Sequence, residues 1–345
     1  MIEIEKCNHT QIRDVMSFID RHWSRGHALA VCKDLMDWQH GSADGSYDYL
    51  IARDDRKIWG VLGYISTRRF DEALNRQNVV WLALWKVIDE APVGLGLRLL
   101  HSLSKFEPHI AVAVNGINSS HPPMYDALGY EVGELQQFFV TNPNRSMSLL
   151  SAPSGYSWPV PSPDGIKWDE MDAKKLREMD PSIFVSNTLP LKSPAYFATR
   201  FFGHPVYRYR VFSLVSPNGD SALIATRVAE HNGARALRVV DFAGNPAVLR
   251  WAGNGLTIVL EESGAEYADL WAYGMDQNVI AATGMIPVNQ MEAVIVPNFF
   301  EPFISKNGRI LCAVKRVDGG ALPVTIFRAD GDQDRPNLIK PADLK

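Results

Sequence analysis

The sequence predicts an α/β (α+β) protein in which one arrangement of strands and helices is built twice. Three observations predict this. An apolar run from Val79 to Ile88 leads into a glycine turn and a leucine-rich helix. A proline-rich stretch interrupts the chain near its middle. The order of elements before that stretch returns after it.

The chain has 345 residues, which suits two domains. With 46% hydrophobic and 21% charged residues its composition is that of a globular protein rather than a disordered or fibrous one. A net charge of −4 supplies no general field for nucleic acid, so no nucleic-acid partner is expected, though a local basic patch could still bind phosphates. No apolar run approaches the roughly 18 residues of a membrane span, and the polar start Met1 to Lys6 is unlike a signal peptide, so a cytoplasmic protein is expected. Three cysteines (Cys7, Cys32, Cys312) without a CxxC motif argue against a disulfide framework and structural zinc, and no metal is expected.

In order along the chain, residues 1–40 read as helical in two pieces. Ile12, Val15, Met16 and Ile19 repeat at helical spacing, and Leu29 to Trp38 follow a polar, aromatic loop with His22, Trp23 and His27. Tyr47 to Arg53 and Ile58 to Ile65 form a hairpin about Asp54 to Lys57. Val79 to Ile88 is its neighbour, a strand buried on both faces. Asp89 to Pro92 break the strand, and Gly94-Leu95-Gly96 open a helix carried by Leu97, Leu99, Leu100 and Leu103. A strand at His109 to Val114 and a short helix ending at Gly129 follow.

Residues 141–165 hold too many prolines and glycines for a regular element. Beyond them come a helix (Asp172 to Met179), a hairpin (Tyr207 to Val215, Ala222 to Val228), a strand (Ala236 to Phe242) and a helix (Val248 to Glu262). A strand (Tyr267 to Tyr273), a short helix ending at Gly284 and a strand over Met291 to Val296 complete the unit, and Ile310 to Lys315 is a further strand. Between strand and helix this second copy reads Ala243-Gly244-Asn245-Pro246, without the GxG. Asp330, Asp332 and Asp334 alternate as in a calcium loop, but the required glycine and glutamate are missing. That segment reads as a polar lid, a loop touching a substrate, or a solvated tail.

A glycine turn that opens a helix leaves N–H groups free at the positive end of the helix dipole, where a phosphate binds. Strand, GxG helix, strand and the Tyr125 to Tyr130 segment, in that order, resemble the acyl-CoA-binding half of the GNAT superfamily of N-acyltransferases. The superfamily turn reads Gln/Arg-x-x-Gly-x-Gly/Ala; Gly94 and Gly96 match, and Ala91 stands at its first position. The resemblance implies tandem GNAT-like domains, each a mixed, mostly antiparallel twisted sheet flanked by helices. Residues 1–145 would bind acyl-CoA, 146–166 would link, and 167–345 would hold the acceptor and carry a C-terminal extension.

It further implies acyl-CoA (acetyl-CoA or a hydroxyacyl-CoA) as co-substrate, with its phosphates at Val93, Gly94, Leu95, Gly96 and Leu97 and its carbonyl at the backbone of Val87 and Ile88. Asn118 is a further candidate contact. Tyr125 aligns with the tyrosine that protonates the leaving thiolate in many members, or it is a packed tyrosine. Asp89 and Glu90 leave the strand at the carbonyl end, as groups that orient or deprotonate an amine or as a solvated pair at a helix start. Asp241, at the matching strand end of the second copy, and Glu301 are candidates to hold the acceptor. His22 and His27 are candidates for its phosphates or plain surface positions, and Trp23 is a stacking platform for it or a core residue.

A narrower resemblance rests on Leu84 to Val87, Pro92 to Leu100, Ala127 to Leu135 and Glu301-Pro302-Phe303. These are similar to nucleotide-sugar N-acyltransferases of bacterial surface-polysaccharide pathways, that of anthrose among them. This implies a dTDP-linked amino-deoxy sugar as acceptor. Two alternatives stay open: an aminoacyl- or peptidyl-type transferase of the same fold, and a non-catalytic CoA-binding scaffold. The sequence leaves the oligomeric state open.

Overall fold

The computed structural model describes the chain except residues 182, 183, 185, 186, 289–292 and 340–345. Its strands are β1 (Glu3–Asn8), β2 (Ser46–Arg53), β3 (Ile58–Ser66), β4 (Val79–Val87), β5 (Ala111–Ile117), β6 (Glu131–Thr141), β7 (Asp169–Met171) and β8 (Tyr209–Val215). They continue with β9 (Ser221–His231), β10 (Ala234–Gly244), β11 (Tyr267–Tyr273), β12 (Ile286–Pro287), β13 (Phe299–Phe300), β14 (Phe303–Ile304), β15 (Ile310–Arg316) and β16 (Ile326–Phe327). The helices are α1 (Ile12–His22), α2 (Ala28–Val31), α3 (Lys33–His40), α4 (Leu95–Phe106), α5 (Pro122–Ala127), α6 (Ala173–Glu178), α7 (Pro194–Phe202), α8 (Gly253–Ser263) and α9 (Gln277–Ala281).

Fourteen strands join in one mixed, mostly antiparallel sheet, whose main path runs β1-β2-β3-β4-β5-β15-β6-β11-β10-β9-β8-β7. From either edge inward the pattern is the same: four antiparallel strands, then a parallel step, β4 to β5 on one side and β10 to β11 on the other. The parallel steps are crossed by α4 and α8, as the leucine-rich windows predict. The two halves meet at β6, which pairs with β15 through Glu131 to Leu135 and with β11 through Gln136 to Thr141.

The sequence reading misses β1, because Glu3, Glu5 and Lys6 mask an edge strand with few buried positions. The helix expected over Val248 to Glu262 is broken: a 3₁₀ turn at Pro246–Trp251 precedes α8. Of the strand expected over Met291 to Val296, Met291 and Glu292 lie outside the described residues, and Ile295 makes only an isolated bridge to Ser151. The strand predicted at Ile310 to Lys315 exists, but as β15 it lies between β5 and β6, amid the first half's strands.

Apolar layers cover both sheet faces. On the first half, α1, α2 and α3 pack with Leu84, Ile88 and Val61, while α4 and α5 pack with Leu82, Val80 and Tyr64 on the other face. No described helix is long and apolar enough to cross a membrane.

Candidate active site

Beyond Leu82 the sheet of the first half opens. Parallel pairing of β4 with β5 covers Val79↔Ala111 to Leu82↔Val114 and stops, while β4 stays paired with β3 as far as Val87↔Gly60. The β3 register shifts between Tyr64↔Leu82 and Gly63↔Leu84, leaving Ala83 as an extra residue. This bulge sends Leu82 and Leu84 into opposite layers. β5 keeps β15 on its other edge from Ala111 to Ile117, and past Val114 it has no strand partner on the β4 side among the described residues. From Ala83 to Val87, therefore, alternate backbone groups of β4 face a gap with no strand across it.

The Ile88 N–H donates to the Trp59 carbonyl at 3.0 Å, so Ile88 does not supply the carbonyl contact expected of it. By alternation the groups of Val87 and Trp85 are the ones that face the gap.

The glycine turn lies at the end of the same strand. Gly94 has φ of +83°, which the missing Cβ permits, and nothing lies within 4 Å of where that Cβ would be. Gly96 lets the Trp85 indole approach; its Cβ would meet the ring at 3.4 Å. The N–H groups of Gly96 and Leu97 fall in the first turn of α4, where no intrahelical acceptor exists, and Val93 and Leu97 are exposed beside them. Leu95 is a correction: its N–H donates to the Pro92 carbonyl at 3.1 Å and its side chain is buried.

The other candidates of the first half divide. Tyr125 is buried between α4 and β5, its ring edge-on to Tyr130 at 5.3 Å, and burial pushes its phenol up to about 12. The Asn118 side-chain oxygen accepts from Ser120, closing a turn. The Asp89 carboxylate is almost fully exposed, 3.7 Å from Lys86. Glu90 and His22 share a shallow depression with Arg21, Arg53, Arg56 and Lys57. Trp23 is half exposed. His27 is a helix cap: its Nδ1 accepts from the Leu29 N–H at 3.2 Å, and burial holds the imidazole down at about 3. It is neutral and enclosed, which removes it from a phosphate-binding role.

The second half repeats the opening and closes it. β10 pairs with β11 only to Val239↔Leu270, and its register with β9 shifts between Val239 and Asp241. Here β16 pairs with Ala272 and Tyr273 of β11, and the Ala329 N–H donates to the Val240 carbonyl at 2.8 Å. Asp241, just past the bulge, is fully buried, and the Lys192 ammonium stands 2.5 Å from it and 2.8 Å from Asp330. Desolvation raises the Asp241 carboxyl to about 6 against the pull of Lys192.

The segment just after β16, Arg328 to Asp334, is no solvated tail. Asp330 and Asp334 are buried, Asn115 of β5 donates to the carbonyls of Phe327 and Asp330, and the Gln333 side chain lies on Gly116. On its other side this segment walls a cavity of about 270 Å³ that holds Arg227, Arg238, Arg328 and Arg335 together with Tyr207 and Glu301. Glu301 accepts from the Tyr207 hydroxyl at 3.0 Å. The sequence reading missed these arginines. The available signal was an arginine inside each of two apolar strand runs, Arg227 and Arg238, which the fold sets directly opposite each other. Among the described residues no group of three or more His, Cys, Asp or Glu is placed to hold a metal ion.

No protein-family model and no curated protein matches the chain. Solved structures do share its fold. A GCN5-related N-acetyltransferase from Anabaena variabilis superposes with a TM-score of 0.50 at 10% identity, covering 92% of this chain and 73% of that one. A conserved protein of Enterococcus faecalis, described as a probable N-acyltransferase, gives 0.51 at 10% identity over 92% and 72%. The mixed α/β fold expected from the GNAT resemblance is thus the fold observed.

Proposed function

We propose that the chain is an acyl-CoA-dependent N-acyltransferase of the GNAT type, acting on the amino group of a nucleotide-linked amino-deoxy sugar, dTDP-linked, for surface-polysaccharide synthesis. The observation that carries the donor half is the contrast between the two openings: one leads to a bare glycine turn at a helix start, and the other is closed by the chain itself. The described N-acyl- and N-acetyltransferases of the same fold support the class of chemistry.

In this reading the donor diphosphate rests on the Gly96 and Leu97 N–H groups, and its thioester lies along β4 at the gap. The amine attacks the carbonyl carbon, the oxyanion is held by backbone N–H beside the bulge, and the C–S bond breaks to release the thiol. Such an oxyanion donor is worth roughly a hundred- to a thousandfold in rate. A thiol with an ordinary value near 8.5 leaves readily, and Tyr125, kept protonated by burial, is the proton source. Asp89 and Glu90 accept the amine proton by way of solvent. Asp241, enclosed with Lys192, positions β10 and does not touch substrate.

The test is thiol release from acetyl-CoA or hydroxybutyryl-CoA in the presence of dTDP- and UDP-linked amino sugars, with acylated sugar identified by mass. Release that requires the amino sugar is expected. Turnover only with aminoacyl acceptors would overturn the acceptor class, and absence of both turnover and CoA binding would overturn the transferase.

A further inference from the structure

The cavity beside Glu301 holds a buried cation, Arg328, that lies over the Trp271 ring at 5.7 Å but has no carboxylate of its own. Arg227 is held bidentately by Asp334, Arg238 lies 3.5 Å from Asp269, and Arg335 meets Asp332 at 3.0 Å. Arg328 is 5% exposed and lines the same cavity, yet among the described residues it has no carboxylate oxygen within 4 Å. Among the described residues its one hydrogen bond goes to the Asn298 side-chain oxygen, and its Nε has no hydrogen-bond partner. Arg238 stands close enough to repel it, and Arg227 and Arg238 are themselves cross-strand neighbours. Burial and that repulsion outweigh the more distant pull of Asp269 and Asp334 and bring the Arg328 guanidinium down to about 9, still a cation at neutral pH. A buried charge without a hydrogen-bonded counter-ion is costly, and a planar fork of donors suits an oxyanion.

We infer that this cavity is an anion site that takes a phosphate or diphosphate group on Arg328, flanked by Arg238 and Arg335. Glu301, turned into the same space from the opposite charge, then marks where a cationic or hydroxylic part of that ligand lies. The Gln333 side chain, which lines the cavity and covers Gly116 at the β5 side of the open gap, connects it to the thioester-binding region. The role of acceptor subsite rests on the transferase reading; anion binding does not.

Calorimetric titration of the whole chain with pyrophosphate, and separately with dTDP and UDP, tests the site, with CoA titrated on the same samples. Binding that weakens steeply with added salt is expected, with at least a tenfold loss in Arg328→Met and a severalfold loss in the less buried Arg335→Gln, while CoA affinity is unchanged. Arg335→Gln decides the matter if Arg328→Met does not fold. Tighter binding of dTDP than pyrophosphate identifies a nucleotide; equal binding identifies the phosphates alone. Failure of pyrophosphate and both nucleotides to bind, or binding to either folded variant as tight as to the unaltered chain, overturns the anion site. Failure of CoA alone overturns the donor reading and leaves this one standing.

Discussion

Lys192 stands with its ammonium 2.5 Å from Asp241 and 2.8 Å from Asp330, all three side chains shut away from solvent. Removing the cation leaves two buried carboxyls with no counter-ion in contact, each held among the described residues only by a backbone N–H, of Phe242 and of Phe327, so Lys192→Met is expected to destabilise by about 3–5 kcal/mol, measured by urea unfolding. A loss below about 1 kcal/mol would show that the three groups do not act together. Gly94 poses the opposite case, since the space around it is open and only its backbone angle resists a side chain. Gly94→Ala is expected to cost about 1–2 kcal/mol in stability and to weaken CoA binding, read by unfolding and by titration. Asp241 could be picked out in sequence because it stands at the strand end of the second copy that matches the one before the glycine turn in the first. Lys192, 49 positions away, could not.

At the scale of elements, β15 matters most. It supplies hydrogen bonds to β5 on one side and to β6 on the other, so it belongs to the first half although it follows all but the last strand of the second. Its amides are expected to exchange with solvent only through global unfolding, as core strands do. Exchange at Ala313 and Val314 through a cheaper local opening would show β15 to be an added edge rather than a structural strand. The strand itself was legible at Ile310 to Lys315, and α4 and the β2–β3 hairpin were as well, because burial on one or both faces writes a period into the residues. Its place in the sheet was not, since pairing over such a separation leaves no local trace. For the same reason the closing contact of Ala329 on Val240 and the opening beyond Leu82 were invisible.

For the molecule as a whole, buried ionisable groups set the response to acid. Burial holds His27, His40 and His204 neutral, each lowered to about 3 from 6.5. Unfolded chains bind these protons below 6.5 and the native protein does not, so the stability they contribute is complete above 6.5 and lost as pH falls toward 3. Asp48 and Asp241 are raised to about 6 from 3.8, so between those values the native state takes up protons and gains relative stability. Asp332 is raised as well, but the carboxyls raised to about 6 take up protons later on the way down than the three imidazoles of the unfolded chain, so a net loss remains between about pH 7 and about pH 5. The urea midpoint is therefore expected to be lower at about pH 5 than at about pH 7. An equal or higher midpoint would contradict this balance.

The amino-acid sequence by itself determined the alternation of elements, their duplication, the bare glycine turn and the loss of that turn in the second copy. These follow from local periodicity and from what a glycine permits. Only the tertiary structure decided that one opening in the sheet stays open while the other is closed, that β15 crosses into the first half, and that four arginines share one cavity. Each of these depends on residues far apart in the chain, and long-range placement is settled by how buried surfaces and buried charges are matched, which no local pattern records.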